Sequence, residues 1–577
     1  MSTINTKTTV AQPSREQLEK GHLNHMSGVS YDIKNPLLQL RVVASSCFFG
    51  EPMYYHDDKK SNDNFRTHLK DSLNAKGASF AKYLDNVLTP VLDFPEYRNY
   101  SPARLVETAI DAALNFDAEG TLMEAVRLRN EEHIRTTPQV IMVRAAHHDK
   151  VRGTGLIKKY ANQIMRRTDE VSVQLAYQMR VYGQPIPNAL KKAWKAFLEK
   201  RTEYDLAKYR MENRAFKTVD VVNLVHAKSA EIDGLMKGTL KLSDEDTWEA
   251  LISKEGSTRE NWEKAIDLMG HMALLRNLRN FHEKGVSPDL YLEKLVKTAK
   301  GGQQLPFRYF SAYSMLKNTG ISGRVLDAVE QCLEISLGEM PQFKGKVMSL
   351  CDNSGSAQST TTSKMGTMKV SHIANLTSVI TGKVSEDGYI GVFGDGLKVQ
   401  PVRKNASVFD QVDKANELAN DIGQATENGI WLFFDKAIKE QEHWDHIFVY
   451  SDMQAGHGGL YGIKDSDYRD YRWNNSRYID VAKLIKTYRE KVNANVKVYL
   501  VQVAGYKDTL VPEFYDKTYI LGGWGDGLLR FAHSMEQLGQ KPVHEQSVSN
   551  SDEPKVKASI TGPKVQVRKK NRFKLDK

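Results

Sequence analysis

Residues 345–356 read GKVMSLCDNSGS, and the change of character in the middle of this stretch decides the second half of the chain. The first seven residues form a short apolar run of the kind that a strand buried on both faces of a parallel sheet shows. The next five, Asp352, Asn353, Ser354, Gly355 and Ser356, are a polar turn. Three more apolar runs follow, YIGVF at 389–393, DHIFVYS at 445–451 and VKVYLVQV at 496–503, with helical spacing near 367–381, 427–440 and 479–492 between them. Strand alternating with helix predicts a doubly wound, Rossmann-type α/β domain over 341–540, with its functional residues just past the carboxyl ends of the strands.

That rule gathers a set of oxygen donors. Asp352, Ser354 and Ser356 follow the first strand, Asp452 follows Ser451 at the end of the third, and Thr426 sits in a glycine-containing loop before a helix. A hard divalent cation, Mg2+ above all, takes about six oxygen ligands and keeps several as water, so five such side chains on one rim suit it. Each piece alone reads equally well as a turn whose side chains cap their own backbone amides. His457, in the loop Gln454-Ala455-Gly456-His457-Gly458, reads as a loop histidine rather than a general base, and without a second carboxylate cluster a hydrolase is disfavoured.

Upstream, from about 35 to 340, the period is helical. In the stretch Asn188 to Arg201, Asn188 stands where an N-cap belongs, Leu190, Trp194, Phe197 and Leu198 share one face, and Lys191, Lys192 and Lys195 point elsewhere. Similar spacing at 105–114, 176–181, 219–225, 268–278 and 290–296 predicts stacked helices over 31–340, although no sequence repeat stands out. Residues 1–30 lack periodicity and read as a flexible arm, and 541–577 reads as a disordered basic tail.

The chain has 577 residues, more than one core usually serves, with 40% hydrophobic and 26% charged residues and no apolar run of the length that spans a bilayer. The first residues lack the apolar stretch of a secretory signal, and the three cysteines, Cys47, Cys332 and Cys351, form no close pair, so a reduced, cytoplasmic setting is expected. Net charge is +10, but residues 144–217 hold 17 Lys and Arg against 7 Asp and Glu, and 555–577 hold 9 against 1, leaving the remainder slightly acidic. Concentrated positive charge is the footprint of a polyanion binder, with a solvated lysine-rich face as the plain alternative.

Asp352, Ser354, Ser356, Thr426 and Asp452 resemble the metal-ion-dependent adhesion site of von Willebrand factor A domains, although Gly423-Gln424-Ala425-Thr426 departs from that family's usual loop. The helical half resembles the TROVE module of the Ro60 family and its bacterial relatives. The matching segments are Arg135-Thr136-Thr137-Pro138, Leu190-Lys191-Lys192-Ala193, Lys208-Tyr209-Arg210, Leu224-Val225-His226-Ala227-Lys228, Leu274-Leu275-Arg276-Asn277-Leu278 and Leu305-Pro306-Phe307-Arg308. The resemblance implies a ring of HEAT-like helical repeats followed by the A domain, and a monomer without catalytic activity. It also implies binding of small noncoding Y-like RNA and of single-stranded ends of misfolded RNA in RNA quality control, with one Mg2+ and a partner such as an exoribonuclease docked at the metal.

Family RNA contacts fall on Lys208, Arg214 and His226. Arg210 and Lys228 lie beside them, and Arg135, Lys191, Lys192 and Arg276 are further candidates. From the residues alone, His226 in Val-Val-Asn-Leu-Val-His reads more naturally as a core histidine, and Tyr204, Tyr209 and Phe216 as packing. The alternative function is a metal-dependent protein-interaction scaffold with no specific RNA role.

Overall fold

The computed structural model describes residues 22–23, 29–46, 102–212, 214–240, 247–302, 304, 306–338, 340–359, 369–424, 428–453, 480–503, 508–511, 517–523, 528–530 and 532. Cys47, Thr426, His457 and the basic tail lie outside them.

The chain opens with strands β1 (His22–Leu23) and β2 (Val29–Asp32) and helix α1 (Pro36–Ser46). The arm expected through residue 30 therefore ends in regular structure. Four residues of strand carry too little periodicity to be read locally, and β2 is specified by a distant partner, residues 508–509.

The helical run then proceeds through α2 (Pro102–Phe116), α3 (Ala118–Asn130), α4 (Thr136–His147), α5 (Leu156–Ile164), α6 (Asp169–Val181) and α7 (Asn188–Leu198). It continues through α8 (Glu203–Lys208), α9 (Thr218–Val225), α10 (Ala230–Lys237), α11 (Trp248–Glu255) and α12 (Arg259–Leu268). Helices α13 (His271–Glu283), α14 (Leu292–Lys297), α15 (Pro306–Leu316) and α16 (Gly323–Leu337) complete it. Each helix packs mainly on neighbours one to three places away, as stacked repeats do.

Helix α7 shows why the sequence adopts this form. Leu190, Trp194, Phe197 and Leu198 are all buried on the predicted face, while Lys192 is exposed and Lys191 and Lys195 are half-buried. Asn188 is the first helical residue rather than the cap. Pro187 holds the cap position, where its fixed φ of −55° starts the turn without a side-chain bond. Behind α7 the Trp194 indole Nε1 donates to Gln174 Oε1 (2.6 Å), Gln174 Nε2 donates to Gln139 Oε1 (2.7 Å), and Gln139 Nε2 donates to the Ile164 carbonyl (3.2 Å). This buried relay satisfies groups that would otherwise be stranded in an apolar core.

The α/β half contains β3 (Phe343–Asp352), α17 (Gly355–Ser359), α18 (Val370–Lys383), β4 (Ser385–Phe393), β5 (Leu397–Pro401), α19 (Val408–Leu418) and α20 (Gly429–Lys439). It ends with β6 (His446–Ser451), α21 (Val481–Lys491), β7 (Lys497–Gln502), β8 (Asp508–Thr509) and β9 (Thr518–Gly522). The sheet order is β5-β4-β3-β6-β7-β9, parallel except for β5, so the four expected strands are its centre and β5 and β9 its edges. Helices α20 and α21 share a core with Met348, Leu350, Ile447, Val449 and Leu500, and α18 packs on β3, β4 and β6. The α + α/β class expected from the sequence is the class observed.

Both ends of the helical run are tied to the α/β half. At the start, β2 pairs antiparallel with β8 (Tyr31 opposite Thr509), and Val42 of α1 lies so close to Gly522 that a Cβ there would meet its carbonyl oxygen at 2.4 Å. The same helix faces α3 through Arg41, whose Nη2 reaches Glu124 Oε2 at 2.6 Å. At the far end, Tyr313 of α15 stacks on Phe409 (4.4 Å between ring centroids), Lys317 Nζ meets Asp413 at 2.8 Å, and the Ser407 hydroxyl donates to Glu330 of α16 at 2.7 Å.

Candidate functional sites

The sheet brings the first site together. After β3 the chain crosses to β4 on one side, then returns to β6 on the other side of β3, so the strand order reverses at β3, where open α/β sheets form a crevice. Cys351 is opposite Tyr450 in the β3–β6 register, so Asp352 comes level with Ser451 and Asp452 is the next residue at the same carboxyl rim. Both are buried, as are Asn353, Ser354 and Ser451. Asp352 Oδ1 accepts from the Ser354 amide (2.9 Å), its Oδ2 accepts from the Ser451 hydroxyl (2.8 Å), and the Ser354 and Ser356 hydroxyls lie 3.1 Å apart. Complete burial, and then the Asp452 carboxylate beside it, push the Asp352 carboxyl well above the usual range in spite of those hydrogen bonds. Two buried carboxylates close enough to affect one another, beside two hydroxyls in contact, are an all-oxygen group of the kind that suits a hard cation.

The rim is closely built. The Gly355 amide donates to the Gln424 carbonyl (2.7 Å), and a Cβ on Gly355 would stand 2.8 Å from that oxygen, so glycine is what allows the 423–424 loop to sit on the turn. Thr426 follows two positions on, outside the described residues. Behind the turn, Asn353 and Asn375 exchange side-chain hydrogen bonds (2.8 and 3.0 Å), and Asn375 also donates to Asn416 Oδ1 (2.8 Å). Ser451, Asn353 and Asn375 thus orient the site. Sequence reading passed over Asn353 and Asn375 because nothing local marks a buried amide pair that spans two elements. Cys351 beside the turn and Cys332 in α16 are free and buried, and burial raises each thiol to about 12.

The candidate nucleic-acid residues are spread over several helices: Arg135 precedes α4, Lys191 and Lys192 lie on α7, Lys208 ends α8, Arg210 and Arg214 precede α9, His226 and Lys228 follow it, and Arg276 lies on α13. Helix α8 begins with a capping box in which Thr202 accepts from the Asp205 amide (3.1 Å), and it ends at Lys208. Lys208 Nζ donates to the Tyr204 hydroxyl (3.0 Å). Burial alone would lower its pKa, but that hydrogen bond and the electrostatic influence of Tyr204, Tyr209 and Glu249 raise it, so the ammonium persists. Tyr204 is 45% exposed, whereas Phe216 is buried as expected of packing, and Tyr209 lies under the Arg167 guanidinium (4.6 Å).

His226 is exposed, which overturns the core reading. Helix α9 stops at Val225, and His226 takes the left-handed C-cap conformation (φ 52°, ψ 46°), so the helical phase that would have turned it inward no longer applies. Lys228 is exposed two residues on, with its amide held by Glu199 Oε1 at 3.0 Å. Arg210 is largely committed to the fold, donating to the Leu240 carbonyl (3.1 Å) and pairing with Glu212 (3.2 Å). Arg214 and Arg135 are half-buried and Arg276 is exposed; all three have partners within the protein.

A cleft of about 660 Å³ brings Lys208 of α8 and Arg276 of α13 to one place, together with Trp248, Glu249 and Lys297, which no local motif singles out. Its wall includes His271, which is locked: Nδ1 donates to the Leu295 carbonyl (3.1 Å), so Nε2 accepts from the Tyr309 hydroxyl (2.8 Å), and burial lowers its pKa and keeps it neutral. Gly302 permits this packing, since a Cβ there would stand 2.3 Å from the imidazole.

Residues 235–330 match the family model described as the TROVE domain. Among solved structures the chain is similar to the Ro (RSR) protein of Deinococcus radiodurans, with 15% identity, a TM-score of 0.47, and coverage of 87% of this chain and 99% of that one. No described helix is long and apolar enough to cross a membrane. The segment that matches this model runs from α10 into α16.

Proposed function

We propose that the chain binds RNA as Ro60-type proteins do, holding small Y-like noncoding RNA and the single-stranded ends of misfolded RNA in RNA quality control, in the cytoplasm and as a monomer. The observation that supports this most directly is the setting of Lys208, His226 and Lys228. The carboxyl end of α8 carries the half-buried Lys208, and the left-handed terminus of α9 leaves His226 and, two residues on, Lys228 exposed, immediately before the segment that matches the TROVE model. Lys208 and Lys228 can meet phosphates, and the His226 ring can stack on an unpaired base or donate to its edge. Arg214, Lys191, Lys192, Arg135 and Arg276 are secondary contacts in this reading, and Arg210 mainly shapes the loop.

The test is fluorescence anisotropy of a labelled single-stranded RNA against the RNA-stripped full chain at rising salt. Affinity falls steeply with salt, and Lys208→Ala with His226→Ala weakens it at least tenfold at fixed salt. Salt-independent binding, or none at low salt, refutes the reading.

We propose further that Asp352, Ser354, Ser356, Thr426 and Asp452 hold one Mg2+, supported by the paired buried carboxylates whose mutual repulsion a dication relieves. The ion would present an open position to an acidic group of a protein partner such as an exoribonuclease, so the role is docking rather than catalysis. The same geometry favours the second reading, a metal-dependent interaction scaffold. In that case Asp352→Ala abolishes partner capture and leaves RNA retention unchanged, and loss of Lys208 and His226 affects neither.

A further inference from the structure

Four helices distant in sequence converge on the cleft described above. Lys208 comes from the end of α8, Trp248 and Glu249 from the start of α11, Arg276 from α13 and Lys297 from the end of α14. Three of the lining side chains are cations, Glu249 is the acid among them, and the buried His271 is held neutral, so the cleft presents net positive charge. Lys297 and Arg276 are exposed, and Trp248 is half-buried, with its ring centroid 6.0 Å from that of Trp262 behind it. The amino end of α13 opens on the same space through Gly270 to Ala273, and Gly270 supplies no side chain to cap its amides. At about 660 Å³ the volume lies in the range of small-molecule sites, and it is far larger than a lone phosphate needs.

Cations alone would suit any anion, and an indole alone would suit any flat apolar group. Together, in a space of this size, they fit a group that carries a dianion at one end and an aromatic plane at the other. We infer that the cleft is a nucleotide pocket, taking one phosphorylated nucleotide with its phosphate toward Lys208, Arg276 and Lys297 and its base against Trp248. The occupant is either a free mononucleotide or the phosphorylated terminal unit of an RNA strand, the chemistry being the same. The inference deepens the RNA-binding reading in its second form and stands apart from it in its first. Sequence reading assigned Lys208 and Arg276 singly, whereas the fold makes them two sides of one receptor.

Calorimetric titration of the RNA-stripped full chain tests this with adenosine 5′-monophosphate, uridine 5′-monophosphate, adenosine and inorganic phosphate. The monophosphates bind, and adenosine and phosphate bind at least tenfold more weakly. Lys297→Ala weakens the monophosphates at least tenfold; as Lys297 is exposed, the variant keeps the parental melting temperature. Trp248→Ala does the same, and Trp248→Phe restores most of the loss.

A second arm uses a short single-stranded RNA with a 5′-phosphate, a 3′-phosphate or hydroxyl ends. If the occupant is an RNA terminus, one phosphorylated end binds more tightly than the hydroxyl form and is displaced by adenosine monophosphate. If it is a free nucleotide, the monophosphate binds and the RNA does not compete. Absence of monophosphate binding, or equal binding by wild type and Lys297→Ala, overturns the pocket. RNA binding that persists in that event leaves the RNA reading intact, and monophosphate binding without any RNA binding refutes the RNA reading while sparing the pocket.

Discussion

Replacing Glu124 by Gln is expected to loosen the attachment of α1 to the helical stack. Glu124 is 3% exposed on α3 and receives Arg41 of α1 (2.6 Å) and Arg127 (2.8 Å), the latter also paired with Glu132. Burial alone would raise its pKa, but the two guanidinium groups outweigh burial and hold the carboxyl at about 2 instead of 4.5. That difference is worth roughly 3 kcal/mol to the folded state at neutral pH, close to the ~3–5 kcal/mol that breaking a buried pair costs. Because the folded pKa is depressed, the contribution is complete above about 4.5 and fades as pH falls toward 2; roughly half remains at pH 3. Hydrogen exchange of residues 36–46 at pH 7 should accelerate about a hundredfold in Glu124→Gln. The gap in urea midpoint between variant and wild type should shrink between pH 5 and pH 3. Exchange within threefold of wild type, or a midpoint gap unchanged at low pH, would show that the pair does not bind α1 in place.

Two further changes probe the other regions. Gln174→Leu strands the Trp194 Nε1–H and the Gln139 Oε1 in the helical core, so urea denaturation should show a loss of about 2–5 kcal/mol in the helical half, and a loss below 1 kcal/mol would contradict the buried relay. Mg2+ at about a hundredfold over its dissociation constant should stabilise the wild type by roughly 2.7 kcal/mol in thermal melts, whereas Asp352→Ala, which loses the Ser354 and Ser451 hydrogen bonds with or without the ion, should show no response to Mg2+.

Where local pattern and final environment coincide, the fold was legible in advance. Leu190, Trp194, Phe197 and Leu198 recur at helical spacing and are buried together, and the runs ending in Asp352 and Ser451 became neighbouring strands. The adjacency of Asp352 and Asp452 followed from a rule about sheets rather than from spacing, since 100 positions separate them in sequence. His226 was misread from its neighbours because extrapolating an apolar face assumes that the helix continues, and a left-handed cap breaks that assumption. Trp248 and Lys297 were missed for a different reason. A pocket made from the ends of four helices has no signature in any one of them, because each residue alone is an ordinary surface cation or a half-covered aromatic.

The charge count of residues 144–217 illustrates how composition and surface differ. Of its 17 basic residues, Arg144 pairs with Asp111, Lys159 with Glu119, Arg167 with Asp169, Lys195 with Glu199, and both Arg210 and Lys217 with Glu212. Two of these partners, Asp111 and Glu119, lie upstream of the counted segment, so the local surplus is partly neutralised from outside it. Buried or paired guanidinium groups release no counterions to an incoming phosphate, and the capacity to bind a polyanion therefore rests on fewer cations than the composition suggests. Lys192, Lys228 and Lys297 are exposed, and none has an ion pair among the described residues. Lys208 is held by a neutral tyrosine, which fixes its direction without cancelling its charge. At least six of the 17 basic residues are thus committed to carboxylates of the fold, and the positive charge left for an outside partner rests on the others, such as Lys192 on α7 and Lys208 at the end of α8.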